Sequence, residues 1–317
     1  MTAGRHTSRV GHGLLAAALL LTAPAVAQGF GPRALQLVPE NSTAVTAHGL
    51  LLDGNQSLEP GSVVEGSDVH VDLAVLQLTR AFRLPGGQQG AIVGILPYGR
   101  IRSRFETVLP GIPRVEVGRS GLFDPQVALV LGLVGSPSLA RPTYARRKPG
   151  FALGALANVH VPIGDYSGDR LVNTGKNRWA VQLGAPMSMS FGRSLLAPDL
   201  ATIELLPAVT LYGANDDPFG PAARTGQRPL FTLEAHATRN LHPMVWVSLD
   251  MFYSNGGAAT RDGITRDNRQ ESLGIGGSIN LNLSPAFAIR LSHGGVVARN
   301  ASGADGHLWR VSGTRIF

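Results

Sequence analysis

The feature that most constrains this chain is a rhythm in how its two-faced segments are spaced. About twelve stretches alternate apolar and polar side chains with a period of two, which puts successive residues on opposite faces of a strand. They cover residues 42–53, 68–82, 91–103, 124–135, 151–162, 178–191, 200–213, 230–240, 244–254, 270–283, 285–297 and 307–317. The connections alternate as well. Residues 54–67, 104–123, 163–177, 214–229 and 255–269 form long, polar, glycine-rich links, whereas 83–90, 192–199, 241–243 and Ser284 are mostly short. Residues 136–150 break the rhythm by being too long. Greek-key crossovers in a sandwich give no reason for such alternation. A meander closed on itself does, with turns at one end and long loops at the other.

Face polarity agrees. Leu273, Ile275, Ile279, Leu281 and Leu283 share one side of their strand, and Ser272, Ser278, Asn280 and Asn282 share the other. Residues 91–98 and 127–134 are instead apolar on both sides, as in a sandwich core or a barrel lined partly by hydrophobic groups. The last strand sets Trp309, Val311, Gly313 and Phe317 against Arg310, Ser312 and Thr314. A terminal aromatic of this kind resembles the closing strand of bacterial outer-membrane barrels, where it is part of the signal read by the insertion machinery. The expected fold is therefore all-β: a transmembrane, antiparallel, up-and-down barrel of about 12 strands, with residues 307–317 pairing back onto 42–53.

Composition is consistent with this. Residues are 44% hydrophobic and 15% charged, with 40 glycines, yet after the N-terminal segment no apolar run reaches the length of a membrane-spanning helix. Arg5 and Arg9, an apolar stretch from Gly13 to Leu21, and Ala25-Val26-Ala27 read as a secretory signal cleaved after residue 27. The expected organisation is a signal peptide over 1–27, a short periplasmic segment over 28–41 and the barrel over 42–317. Zero cysteine removes disulfides, thiolate metal sites and a lipoprotein anchor. The formal charge of +7 invites a nucleic-acid partner, but export and the scatter of the arginines over loops argue against one.

Several stretches resemble a known family. They include Pro39-Glu40-Asn41-Ser42-Thr43-Ala44, Ile95-Leu96-Pro97-Tyr98, Gly121-Leu122-Phe123-Asp124-Pro125 and Ser248-Leu249-Asp250. The most specific runs from Asp169-Arg170-Leu171-Val172-Asn173 to Asn177-Arg178-Trp179. Together they resemble the MetA pathway of phenol degradation family of transporter-like outer-membrane proteins, with Phe123 where members often carry glycine. The resemblance spans nearly the whole mature chain. It implies an outer-membrane barrel linked by name to aromatic metabolism, with Asp169, Arg170, Asn173, Asn177 and Trp179 as its motif loop.

Strand parity nominates lumen-lining side chains: the acids Asp72, Asp124, Glu204, Glu234 and Asp250, the bases Arg290 and Arg310, and His48, His70, His160 and His236. They would either form a polar constriction that selects solutes or pair with one another in a closed interior network. The doubly apolar strands suggest a partly hydrophobic lumen, suited to uncharged aromatic or aliphatic compounds. An enzyme is not expected. The mature chain holds no His-x-Ser, Ser292 and His293 point to opposite faces, and His236-x-Thr238 offers only a threonine. No cofactor is expected, and His70-x-Asp72 reads as a hydrogen-bonded pair rather than a ligand set. The expected function is a channel for small molecules, and the alternative a surface receptor acting through its loops. Expected partners are outer-membrane lipid and lipopolysaccharide, the insertion machinery through Phe317, and a small solute.

Overall fold

The computed structural model describes residues 29–56, 61, 63, 66–106 and 114–317, so the expected signal peptide over 1–27 lies outside the described residues. The strands are β1 (Thr43–Gly54), β2 (Ser67–Arg83), β3 (Gln89–Glu106), β4 (Arg114–Leu122), β5 (Gln126–Val134), β6 (Phe151–His160), β7 (Ala180–Gly184) and β8 (Met187–Phe191). Then come β9 (Ala201–Tyr212), β10 (Thr225–Gln227), β11 (Leu230–His242), β12 (Val245–Gly256), β13 (Ala259–Arg261), β14 (Ile264–Thr265), β15 (Gln270–Ser284), β16 (Phe287–Arg299) and β17 (Gly306–Ile316). A short helix, α1 (Arg141–Arg146), lies between β5 and β6.

Sequential neighbours pair antiparallel, and the sheet closes on itself. The seam joins β1 to β17 from Ala44↔Ile316 to Gly54↔Gly306. Phe317 N donates to Thr43 O at 2.8 Å just below it. Two of the staves are interrupted: β5 and β4 follow each other along β3, and β7 and β8 follow each other along β9. The second break falls at Ala185-Pro186, where proline has no N–H for the ladder. Counted as staves the barrel has twelve strands, and β10, β13 and β14 form a separate small sheet. Closure leaves no open edge, which is what a lipid-facing sheet requires.

The outward face carries an apolar band. Leu51, Leu76, Leu78, Ile92, Leu96, Val127, Leu183, Ile203, Leu249, Ile279 and Val311 are all exposed. Each would recover roughly 1.5–3 kcal/mol on leaving water, so a band of this extent belongs in a bilayer. On β3 the band ends at Tyr98 and gives way to Arg100, Arg102 and Arg104 on the same face.

Residues 104–123, expected as a loop, contain the upper part of β3 and all of β4, paired from Tyr98↔Leu122 to Glu106↔Arg114. Only residues 107–113 of that stretch are outside the description. The overlong link at 136–150 has a structural use: its helix α1 presents Tyr144, whose hydroxyl donates to Leu37 O at 3.1 Å. Burial raises the Tyr144 pKa above its ordinary value, which keeps that hydroxyl a donor.

Candidate functional site in the barrel lumen

The interior has two unlike walls. Leu50, Leu52, Val69, Val71, Leu73, Val75, Ile101 and Leu308 form a buried apolar cluster that Phe123 and Val172 cap from neighbouring loops. A second apolar cluster, of Val93, Ala128, Leu156 and Leu206, packs against Phe30 and Leu35. Facing them, β9, β11, β12, β15 and β16 turn Thr202, Glu204, Glu234, His236, Asp250, Ser278 and Ser292 inward.

The polar wall is a connected network. His236 stands between two carboxylates, with Nδ1 2.8 Å from Asp250 Oδ1 and Nε2 3.4 Å from Glu234 Oε2. Asp250 Oδ2 also accepts from Ser248 Oγ at 3.0 Å and Ser278 Oγ at 2.9 Å. Parity on strands brings these residues together because Glu234 and His236 share one face of β11, and His236 is level with Asp250 of β12. Arg290 and Arg33 both stack on Trp246, 4.9 and 4.7 Å from the ring centroid.

The N-terminal segment, expected as a short periplasmic piece, runs inside the barrel. Phe30 N and Gly31 N donate to the two oxygens of Glu234 at 3.2 and 3.4 Å. Arg33 N donates to Glu204 at 2.8 Å, and its side chain reaches Thr238 and Asn240 at 2.9 and 2.8 Å. Gln36 donates to Thr202 at 3.0 Å, and Gln89 Nε2 donates to Val38 O at 2.7 Å. Gly29 lies so close to Glu234 that a β-carbon there would sit 1.7 Å from Oε1. Sequence reading missed this because the segment has no periodicity to betray its partners. The surplus of inward hydrogen-bonding groups on β9 and β11 was the available signal.

Of the nominated side chains, Glu204, Glu234, His236, Asp250 and Arg310 line this interior, and His160 lines it nearer the extracellular end. Arg290 lies beside Trp246 and Gly31. His70 and Asp72 require correction, because they point outward. On β2 the inward positions are Val69, Val71, Leu73 and Val75, and parity puts His70 and Asp72 on the other face. There His70 contacts Asp53 and Asp72, and Asp72 meets Arg102 at 3.1 Å. The rule of polar in and apolar out inverts above the membrane band, where the outside is wet and the inside is the apolar cluster. Asp124 is better described as a loop anchor: it accepts from Gly164 N at 2.9 Å and Lys176 N at 2.8 Å.

The motif loop folds on itself. Asn173 Oδ1 accepts from Ser167 N at 3.0 Å while its Nδ2 donates to the Ser167 and Arg170 carbonyls. Asn177, at φ 53, donates to Asn215 at 2.9 Å, and Asp169 and Trp179 are exposed. Cross-strand pairing also joins His48 Nδ1 to Ser312 Oγ at 2.8 Å, with Gln77 3.4 Å from Nε2. A search for His and Ser on one strand could not have found that pair.

A closed twelve-strand barrel with an apolar outer band and a two-walled interior is a β-barrel membrane protein of the outer-membrane type. The chain belongs to the family described as "Putative MetA-pathway of phenol degradation", whose model matches residues 53–311. Among solved structures it is similar to the COG4313 outer membrane channel from Pseudomonas putida F1, at 20% identity and a TM-score of 0.72, covering 90% of this chain and 99% of that one. It is also similar in fold to the β domain of the Bordetella autotransporter BrkA, at 12% identity and a TM-score of 0.51, covering 87% of this chain and 100% of that one. Comparison with curated proteins finds no match.

Proposed function

We propose that the protein is an outer-membrane channel of a Gram-negative bacterium that admits small, weakly polar molecules, aromatic ones among them. The observation that carries this reading is the apolar wall of the interior. Leu50, Val75 and Ile95 line a cavity, with Gln77, Asn158 and His160 among its polar groups. A ring-shaped solute with one hydroxyl would lie against the former and hydrogen-bond to the latter. The phenol-degradation family of the chain supports the same class of solute. The solved outer membrane channel that it resembles in fold supports the reading as a channel.

A hydrolase reading of Ser312 and His48 is less well supported. Gln77 is an uncharged third partner, and the N–H groups of the paired strands β1 and β17 are taken by the ladder rather than offered to an oxyanion. Two partners belong to the same proposal. Phe317, held at the seam, would be read by the barrel-insertion machinery. The outward row above Tyr98 would meet the lipopolysaccharide leaflet.

Liposome swelling tests the reading. Phenol-like solutes should enter faster with the protein than without it, and faster than a sugar of similar mass. Equal entry with empty and protein-containing liposomes overturns it.

A further inference from the structure

Among the described residues, two of the interior cavities meet at the N-terminal segment, which lies between them. The first, nearer the periplasmic end, reaches from Phe30 to Gln89 and Ser136. The second is the cavity bounded by Leu50, Ile95 and His160. They share two lining residues, Phe30 and Glu234. Glu234 belongs to the wall, so Phe30 is the side chain that the inserted segment adds to their boundary.

We infer that Phe30 is the gate of the permeation path and the residue that sets which solutes pass. The inference rests on the channel reading and deepens it. Its ring packs against the cluster of Val93, Ala128, Leu156 and Leu206, so the boundary between the chambers is apolar on the Phe30 side, with the Glu234 carboxylate opposite. A phenyl ring across the opening leaves a hydrated ion too little room to keep its water shell, whereas a flat apolar solute replaces the lost contacts with its own. The ring is held in place from the backbone. Phe30 N and Gly31 N grip the Glu234 carboxylate, and Glu234 is held in turn by His236. Gly31, at φ 83, and Arg33, at φ 60, turn the chain on the far side of the ring. The segment is therefore braced through its backbone, independently of the Phe30 ring.

The test compares full-length wild type, Phe30→Ala, Phe30→Trp and a deletion of residues 29–38. All are checked for folding by heat-modifiable mobility, with Phe30→Leu made should alanine fail to fold. Planar-bilayer conductance in potassium chloride and liposome swelling with phenol and with the bulkier 2-naphthol are the readouts. Phe30→Ala is expected to raise ion conductance several-fold and to admit 2-naphthol nearly as fast as phenol, and Phe30→Trp to slow both solutes. Wild-type behaviour in Phe30→Ala, alongside a raised conductance in the deletion, would assign the barrier to the segment as a whole and overturn Phe30 as the gate. Silence in all variants, the deletion included, with no solute entry, would overturn the channel reading itself and the gate with it.

Discussion

His236 shows how much one side chain can hold in a barrel interior. It bridges Glu234 and Asp250, and both carboxylates are buried. Without it two acids would be left in a low-dielectric interior with a shared partner missing. His236→Ala should therefore cost about 3–5 kcal/mol, as the loss of one member of a buried charged set does. His236→Gln should cost less, since an amide can donate to one of the acids. Urea unfolding of the lipid-reconstituted protein would measure the difference, and equal losses would contradict the bridging role. Gly306 is a second sensitive position, for a backbone reason. Its φ is 113, and a β-carbon there would lie 1.9 Å from Asp53 O, across the seam. Gly306→Ala should destabilise by about 1–3 kcal/mol, the usual cost of forcing a side chain into such a conformation. The readout is the temperature at which gel mobility shifts.

Among the elements, the inserted N-terminal segment and helix α1 form a pair. The connection that breaks the loop rhythm is the one that sends Tyr144 to Leu37 O. Tyr144→Phe removes that bond, worth about 1 kcal/mol, from the periplasmic end of the segment. Limited proteolysis from the periplasmic side should then cut residues 29–41 faster while the barrel stays intact. Unchanged cleavage would mean that Gln89 and Glu204 suffice to hold the segment. Most elements were legible beforehand: the boundaries of β9, β11, β12 and β15 follow from alternation that matches the lipid and lumen faces. Strand β4 was not, because Arg114, Glu116 and Arg119 look like a solvated loop when no bilayer level is known. The inward apolar face of β2 was hidden for a related reason. Val69, Val71, Leu73 and Val75 alternate with His70 and Asp72 as a lipid-facing set would, and only depth distinguishes the two cases.

At the scale of the whole molecule, the bilayer assigns the energies. Leu76 is exposed on the outward band of β2, whereas Leu171 is exposed on the extracellular loop. Leu76→Arg should cost roughly 2–4 kcal/mol, as a charge facing the middle of the hydrocarbon does. Leu171→Arg should stay within about 0.5 kcal/mol, as surface changes usually do. Equal effects on unfolding in lipid would refute the depth assigned to the band. The amino-acid sequence by itself determined the strand count, the outward apolar face, the closing pair of β1 and β17 and the family, because alternation and loop length are local properties. Only the tertiary structure decided that residues 29–38 lie within the barrel, that the inward faces of β1 and β2 join the apolar lining expected from residues 91–98 and 127–134, and that His70 and Asp72 face out. Those outcomes depend on which groups meet across the lumen and how high each sits along the barrel, and neither is encoded in the period of a single strand.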